Sequence, residues 1–338
     1  MLPASSARAV IEFTFSPIAQ VGPWDVRWET IALAAVIFAA LVVAVRVAGL
    51  TPIDLGLPPD DILPDDEPNH LRADDLLFIT VAAIPGAVLG GRLGYALLHL
   101  DYYSANPGAL LDWGQGGFEL TLAVVGGTLT AAIVAALLES PVGRWLHAAI
   151  LPLLLALAGG KLAMVLGGSG QGTLFEGAWA TAYLGPGPWG SLAPALPSNP
   201  SQAYEAIGAA GVALLLMLLL AARAFGRKAG GAFLFGIALW SLMRAGVATT
   251  WRDPPVIGAV RMEQAIALAV AAGALVLLVT LQLVHAWRGR DGARAPEPGE
   301  VPEADTPGLV APGEPPAPVA DPASPKPDWP DPASRPRF

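Results

Sequence analysis

Three cationic side chains lie inside long apolar runs: Arg92 in GGRLGY, Lys161 in AGGKLA and Arg244 in WSLMRAG. At the centre of a membrane span each would cost roughly 2.5–3.5 kcal/mol, so such residues normally face a bundle interior or a wet cavity, paired or serving a ligand. Glu119 and Glu205 fall near the ends of apolar runs and can pair with one or two of the cations. Any cationic surplus would form a positive pocket for an anionic group such as a phosphate. Arg92 is open to a second reading, in which its stem lies in lipid and its head snorkels to the surface. Paired glycines accompany the cations at Gly90–Gly91, Gly126–Gly127, Gly159–Gly160 and Gly167–Gly168. Small residues of this kind let helices pack closely, and they also let a bulky headgroup approach the backbone. Composition does not choose between the two.

The elements that must position these residues are membrane helices. Of 338 residues, 54% are hydrophobic and only 14% charged, against about 25% charged in a soluble domain. Seven apolar stretches, near 30–49, 76–99, 118–138, 147–167, 203–222, 230–250 and 262–284, can cross ~30 Å of hydrocarbon. The expected fold is an all-α integral membrane protein of about seven spans. Residues 1–29 form an extracytoplasmic segment in which no cleavable signal peptide is expected, and residues 30–287 the membrane domain. Within it, residues 168–202 form a small head whose Trp179, Tyr183 and Trp189 suit the lipid headgroup level. Residues 288–338 form a cytoplasmic tail; its last 48 residues hold 14 prolines with nine acidic and four basic side chains, a composition expected to be disordered. Nine basic residues flank the spans on one side (Arg46, Arg72, Arg144, Arg223, Arg227, Lys228, Arg288, Arg290, Arg294) and four on the other (Arg8, Arg27, Arg252, Arg261). That asymmetry puts the amino terminus outside and the carboxyl terminus in the cytoplasm.

Several chemistries are excluded. The absence of cysteine removes disulfides, thiolate nucleophiles and thiolate-bound metals, and four scattered histidines make no metal centre. No basic face suggests nucleic acid.

The ordered set of local motifs resembles the prolipoprotein diacylglyceryl transferase family through about residues 15–285. The pieces are SPIAQVGPWDVRWE before the first span, GGRLGY and then DYY in and after the second, and VGG in the third. AGGKL follows in the fourth, NPSQAYEA opens the fifth and GIALWSLMRAG lies in the sixth. The resemblance implies a bacterial plasma-membrane enzyme without metal or organic cofactor. It would move the diacylglyceryl group of phosphatidylglycerol onto the lipobox cysteine thiol of a prolipoprotein signal peptide, releasing glycerol phosphate. The missing cysteine suits that reaction, since the reactive thiol belongs to the substrate.

Carried over position by position, the resemblance makes Arg244 and Lys161 the phosphate clamp, with Glu205 beside them as the third catalytic position. Arg92, Tyr95, Gly126, Gly127, Gln202 and Tyr204 become substrate-binding positions. Glu29, Glu205 and His99 are the candidate general bases. The chain departs from the family pattern at Val125, where His precedes the paired glycines, and at Lys161–Met164, where the family reads Arg-x-Gly-Asn. It departs again at Ser169–Gly172, where an acidic residue is replaced, at Glu29 in place of Tyr, and at Asn199 in place of His. Three readings stay open: a transferase with a divergent site, a lipid-binding or accessory membrane protein that keeps the fold without the reaction, or a transferase for another lipid or acceptor.

Overall fold

Length and apolarity decide the architecture. The computed structural model describes residues 10–51, 70–112, 117–225 and 230–292. A short strand β1 (Ile11–Phe13) and the hairpin β2 (Ile18–Val21)–β3 (Trp24–Arg27) lead directly into α1 (Trp28–Leu50). α2 (Ala73–Leu98) follows, then the short α3 (Leu100–Ala105), a 3-10 turn (Pro107–Leu111), α4 (Leu120–Leu137) and α5 (Val142–Gly167). Strand β4 (Thr181–Tyr183) precedes α6 (Ser201–Ala221) and α7 (Gly231–Val247), and a second 3-10 turn (Ala248–Thr250) extends α7. The hairpin β5 (Pro255–Ile257)–β6 (Val260–Arg261) enters α8 (Met262–Gly292).

Among the described residues, seven helices are long and apolar enough to cross a membrane, and the chain is a multi-pass membrane protein. They coincide with the expected spans. Two ends differ: α5 starts at Val142 rather than near 147, and α8 runs beyond 284 to Gly292. Helical propensity does not stop where hydropathy does, so Arg144 and the basic residues near the end of α8 extend helices past the apolar run. The chain divides after Arg288 into two units. The acidic stretch after the first span and the proline-rich tail expected in the sequence lie outside the described residues.

α7 is the central helix, with 61% of its most apolar window buried against 11–33% for the other spans. Phe233, Ile237 and Trp240 of α7 pack with Ile150 and Leu154 of α5 and Leu216 of α6. The other helices turn large apolar side chains outward, as Phe38, Leu137 and Ile207 do, which a lipid solvent accepts.

α2 and α4 form the closest pair in the bundle. Their seam is glycine backbone: a Cβ on Gly126 would strike the Gly86 carbonyl oxygen, and one on Gly90 would strike the carbonyl oxygen of Leu122. Gly126 therefore serves helix packing, the first of its two readings.

The head is broader than residues 168–202. β1 pairs in parallel with β4, joining the amino-terminal segment to the head loop. Tyr183 is its core rather than a headgroup anchor: it is 1% exposed, stacked 4.8 Å from Phe13, with the tilted Trp189 ring 4.8 Å away. Burial, with the nearby Glu29 carboxylate acting in the same direction, pushes its phenol up to about 12, so it stays protonated at neutral pH. Gly168, at φ +70°, ends α5 in the left-handed conformation that turns the chain into the head, and the Ser169 amide donates to the Met164 carbonyl.

Replacing Gly126 with valine wedges a branched side chain into backbone. We expect Gly126→Val to cost roughly 1–3 kcal/mol, read as a lower midpoint of chemical unfolding in mixed micelles. Gly246→Ala, where nothing lies within 4 Å of an added Cβ, is the control and should stay near the parent midpoint.

Candidate functional site

Two of the three intramembrane cations meet. Arg244 approaches from α7 and is 2% exposed. Its Nε donates to Thr121 Oγ1 at 2.9 Å, and its Nη1 donates to both Glu205 carboxylate oxygens at 2.8 and 2.9 Å. Its Nη2 donates to Glu119 Oε1 at 3.3 Å. Lys161 of α5 reaches the same carboxylate, with Nζ 2.8 Å from Glu205 Oε2. Both cations lie over the indole of Trp251, at 4.8 Å for the ammonium and 4.7 Å for the guanidinium.

Glu119 does two jobs. It is the N-cap of α4, and its carboxylate accepts from the Thr121 and Leu122 amides at 2.7 Å each. This satisfies two orphan amides and places negative charge at the positive end of the helix. The same carboxylate then meets Arg244. Gly94 of α2 leaves the room for it, since a Cβ there would lie 2.7 Å from Glu119 Cβ.

The expected cationic surplus does not form, because Glu119 and Glu205 pair with Arg244 and Glu205 also holds Lys161. The two cations differ in what they have left. Every nitrogen of the Arg244 guanidinium is engaged. Lys161 has one hydrogen-bonding partner among the described residues and three N–H donors, so two face elsewhere.

Arg92 lies apart from this cluster and does not snorkel. It is 2% exposed, and its described bonds run to the carbonyl oxygens of Leu110 (3.2 Å), Ala109 (2.8 Å) and Asp112 (2.8 Å). With Tyr103 beneath its guanidinium at 5.5 Å, it holds the turn after α3. Tyr95 belongs to the same end of α2, 4.2 Å from the His99 ring. His99 itself is exposed.

Gln202 and Tyr204 join α6 to the head. Gln202 Nε2 donates to the Tyr183 hydroxyl at 3.1 Å, and the Tyr204 hydroxyl accepts from Trp179 Nε1 at 2.7 Å. Glu29 is not free in solvent: its Oε2 accepts from Ser169 Oγ at 2.9 Å and lies 3.6 Å from Arg27 Nη2. Val125, one turn further along α4 than Thr121, is 38% exposed.

Below the polar cluster lies a chamber of about 580 Å³ between α1, α2, α4 and α5. Its walls are almost wholly apolar, and Gly127 is part of them. Leu120 and Leu157, which also line it, stand next to Thr121 and one turn from Lys161. At its far end Trp145 is fixed by a chain of hydrogen bonds, its Nε1 donating to Ser140 Oγ, which donates to the buried Asp75 carboxylate. The arrangement can seat an apolar chain beneath an ion-paired polar layer.

Sequence reasoning missed Trp251 and Glu263. Trp251 lies just past an apolar run and Glu263 at the very start of one, and only the turn after α7 brings the indole over both cations. Glu263, in the first turn of α8, is 8% exposed and within electrostatic reach of Arg244 and Lys161.

A family model described as prolipoprotein diacylglyceryl transferase matches residues 17–280. Proteins named phosphatidylglycerol–prolipoprotein diacylglyceryl transferase from Streptococcus pneumoniae, in strains Hungary19A-6 and D39, are each 33% identical over 119 residues. That stretch is 35% of this chain and spans 37% of the length of those relatives.

Removing Arg244 strands two buried carboxylates. Arg244→Leu should destabilise the protein by roughly 3–5 kcal/mol, because breaking a buried pair leaves its partner uncompensated. Combined with Glu205→Leu, the loss should be smaller than the sum of the single losses. Unfolding of the four proteins in micelles measures both effects, and additive losses would remove the coupling.

Proposed function

The chain belongs to the prolipoprotein diacylglyceryl transferase family, and from that premise we propose that it transfers the diacylglyceryl group of phosphatidylglycerol to the lipobox cysteine of a prolipoprotein signal peptide. A thioether forms and glycerol phosphate leaves. The observation that carries this reading is Lys161, a buried ammonium with donors to spare, at the polar edge of an apolar chamber. In this reading its remaining donors hold the phosphate while an acyl chain enters the chamber.

Arg244 then acts chiefly through Glu205, orienting the carboxylate that fixes Lys161. Arg92 and Tyr95 act by holding the turn beyond α2, and Gln202 and Tyr204 by holding the head over the site. The paired charges face the extracytoplasmic side if the basic-residue asymmetry sets the orientation, with the amino terminus and head outside.

A charge on the departing phosphate grows as the carbon–oxygen bond breaks, so a cation positioned there favours the transition state over the bound lipid. The second reading, a lipid-binding member without the reaction, is favoured by one observation: every guanidinium nitrogen of Arg244 is already engaged by the protein.

Complementation separates the two. Expressed at normal levels in cells depleted of their own transferase, the chain should raise the mass of a reporter lipoprotein by one diacylglyceryl group. An unmodified reporter would remove the transferase reading and leave the lipid-binding one. Within the transferase reading, Val125→His restores an imidazole one turn from Thr121. It should raise the rate of lipid transfer to a lipobox peptide, and an unchanged rate would show that this position takes no part.

A further inference from the structure

We propose that Glu263 is the proton acceptor of the transfer, an assignment that rests on the transferase reading above. The acceptor thiol must lose its proton as sulfur attacks, because the thiolate is the nucleophile. The carboxylates that the sequence offered are held by other groups, and the imidazole lies at an exposed end of α2. Glu205 is bound by Arg244 and Lys161. Glu29 is held by Ser169 and Arg27 at the head. His99 is exposed at the end of α2, its Nδ1 3.0 Å from the Tyr95 carbonyl oxygen. Glu119 is saturated by two backbone amides and Arg244.

Glu263 is different. It is 8% exposed, and its Oε2 is buried without a hydrogen-bond partner among the described residues. The charged groups within electrostatic reach of it are Arg244 on α7, Lys161 on α5, Glu119 at the start of α4 and Asp253 in the loop before α8. A buried carboxylate oxygen lacking a donor is costly. A substrate S–H entering beside the cations supplies the missing donor. Trp251 Nε1 is likewise buried and unpartnered, on the indole that covers both cations. The surroundings of the cations thus include one buried acceptor and one buried donor without a described partner, which is what a thiol and a phosphate together require.

In the step, Glu263 Oε2 takes the thiol proton. The sulfur electron pair forms the new bond to the terminal methylene of the diacylglyceryl group. The bond from that carbon to the phosphate oxygen breaks, and its electron pair leaves with glycerol phosphate. Glu263 then gives its proton to the departing phosphate and is again a carboxylate.

The test uses the full chain in phosphatidylglycerol vesicles with a synthetic lipobox peptide. Glu263→Gln should lower kcat by roughly 10²–10⁴-fold, the range for loss of a general base, with KM for the lipid and the unfolding midpoint unchanged. Glu263→Ala should fall as far and regain rate when formate is added, a rescue that a structural role does not give. A glutamine variant with the parent kcat, or an alanine variant that formate leaves inactive, overturns the assignment while the parent's activity upholds the transferase reading. A parent chain with no transfer activity overturns both.

Discussion

A guanidinium buried between carboxylates from different helices makes one charge satisfy two constraints. Arg244 cannot sit unpaired at membrane depth, and neither can Glu119 or Glu205. Glu119 is bound to the start of α4, which is locked on α2 through a glycine seam. Glu205 is bound to α6 and Lys161, and so to the group of helices around α5 and α7. The ion pairs therefore fix how the α2–α4 pair stands against the rest. Apolar side chains alone specify that relation poorly, since lipid is as apolar as they are.

The same network separates the roles of the two cations. Arginine has a planar fork of donors that suits simultaneous bonds to several oxygens, and each nitrogen of Arg244 makes at least one such bond. Lysine is a point charge with three donors on a flexible stem. With the Glu205 carboxylate holding one of these and an indole face lying against the ammonium, Lys161 keeps a fixed position without being saturated. A lysine where the family has arginine thus changes which residue has capacity left for an anion, even though the formal charge is kept. The apolar chamber begins within a turn of Lys161, so that capacity lies at the border between a polar layer and an apolar one.

Much of this was legible in the sequence because the membrane penalises charge so heavily. Apolar runs located all seven spans, and the rarity of ions inside them singled out Arg244, Lys161, Glu119 and Glu205. What the sequence did not carry was which way each helix turned. Arg92 has the same credentials as Arg244, yet it turns toward loop carbonyls after α3. Gly126 has two readings in the sequence, packing surface or approach for a headgroup, and the α2–α4 seam shows the packing. Tyr183 looked like an interfacial anchor and is the core of a head built partly from the amino-terminal segment, a pairing across about 170 residues that no local pattern signals. Glu263 sits in the opening turn of the last span, where acidic residues are ordinarily helix-starting charges on the surface. Only its burial beside the cations sets it apart.

The charges in the cluster also constrain the chemistry. Two cations, Arg244 and Lys161, are matched by the carboxylates of Glu119 and Glu205, with the buried carboxyl group of Glu263 within electrostatic reach. Adding a phosphodiester brings one more negative charge, and breaking its carbon–oxygen bond adds another on the leaving group. In a water-poor pocket that accumulation opposes both lipid binding and bond cleavage. A thiol proton that passed to bulk water would leave the whole of it in place. If the proton instead stops on a carboxylate within the cluster, the site loses one negative charge as the leaving group gains one, and the total stays constant through the step. Glu119 and Glu205 are poor acceptors for that purpose, since protonating either would dismantle the ion pairs that hold the helices in register. Glu263 carries no such duty, so it can be neutralised while the architecture stands.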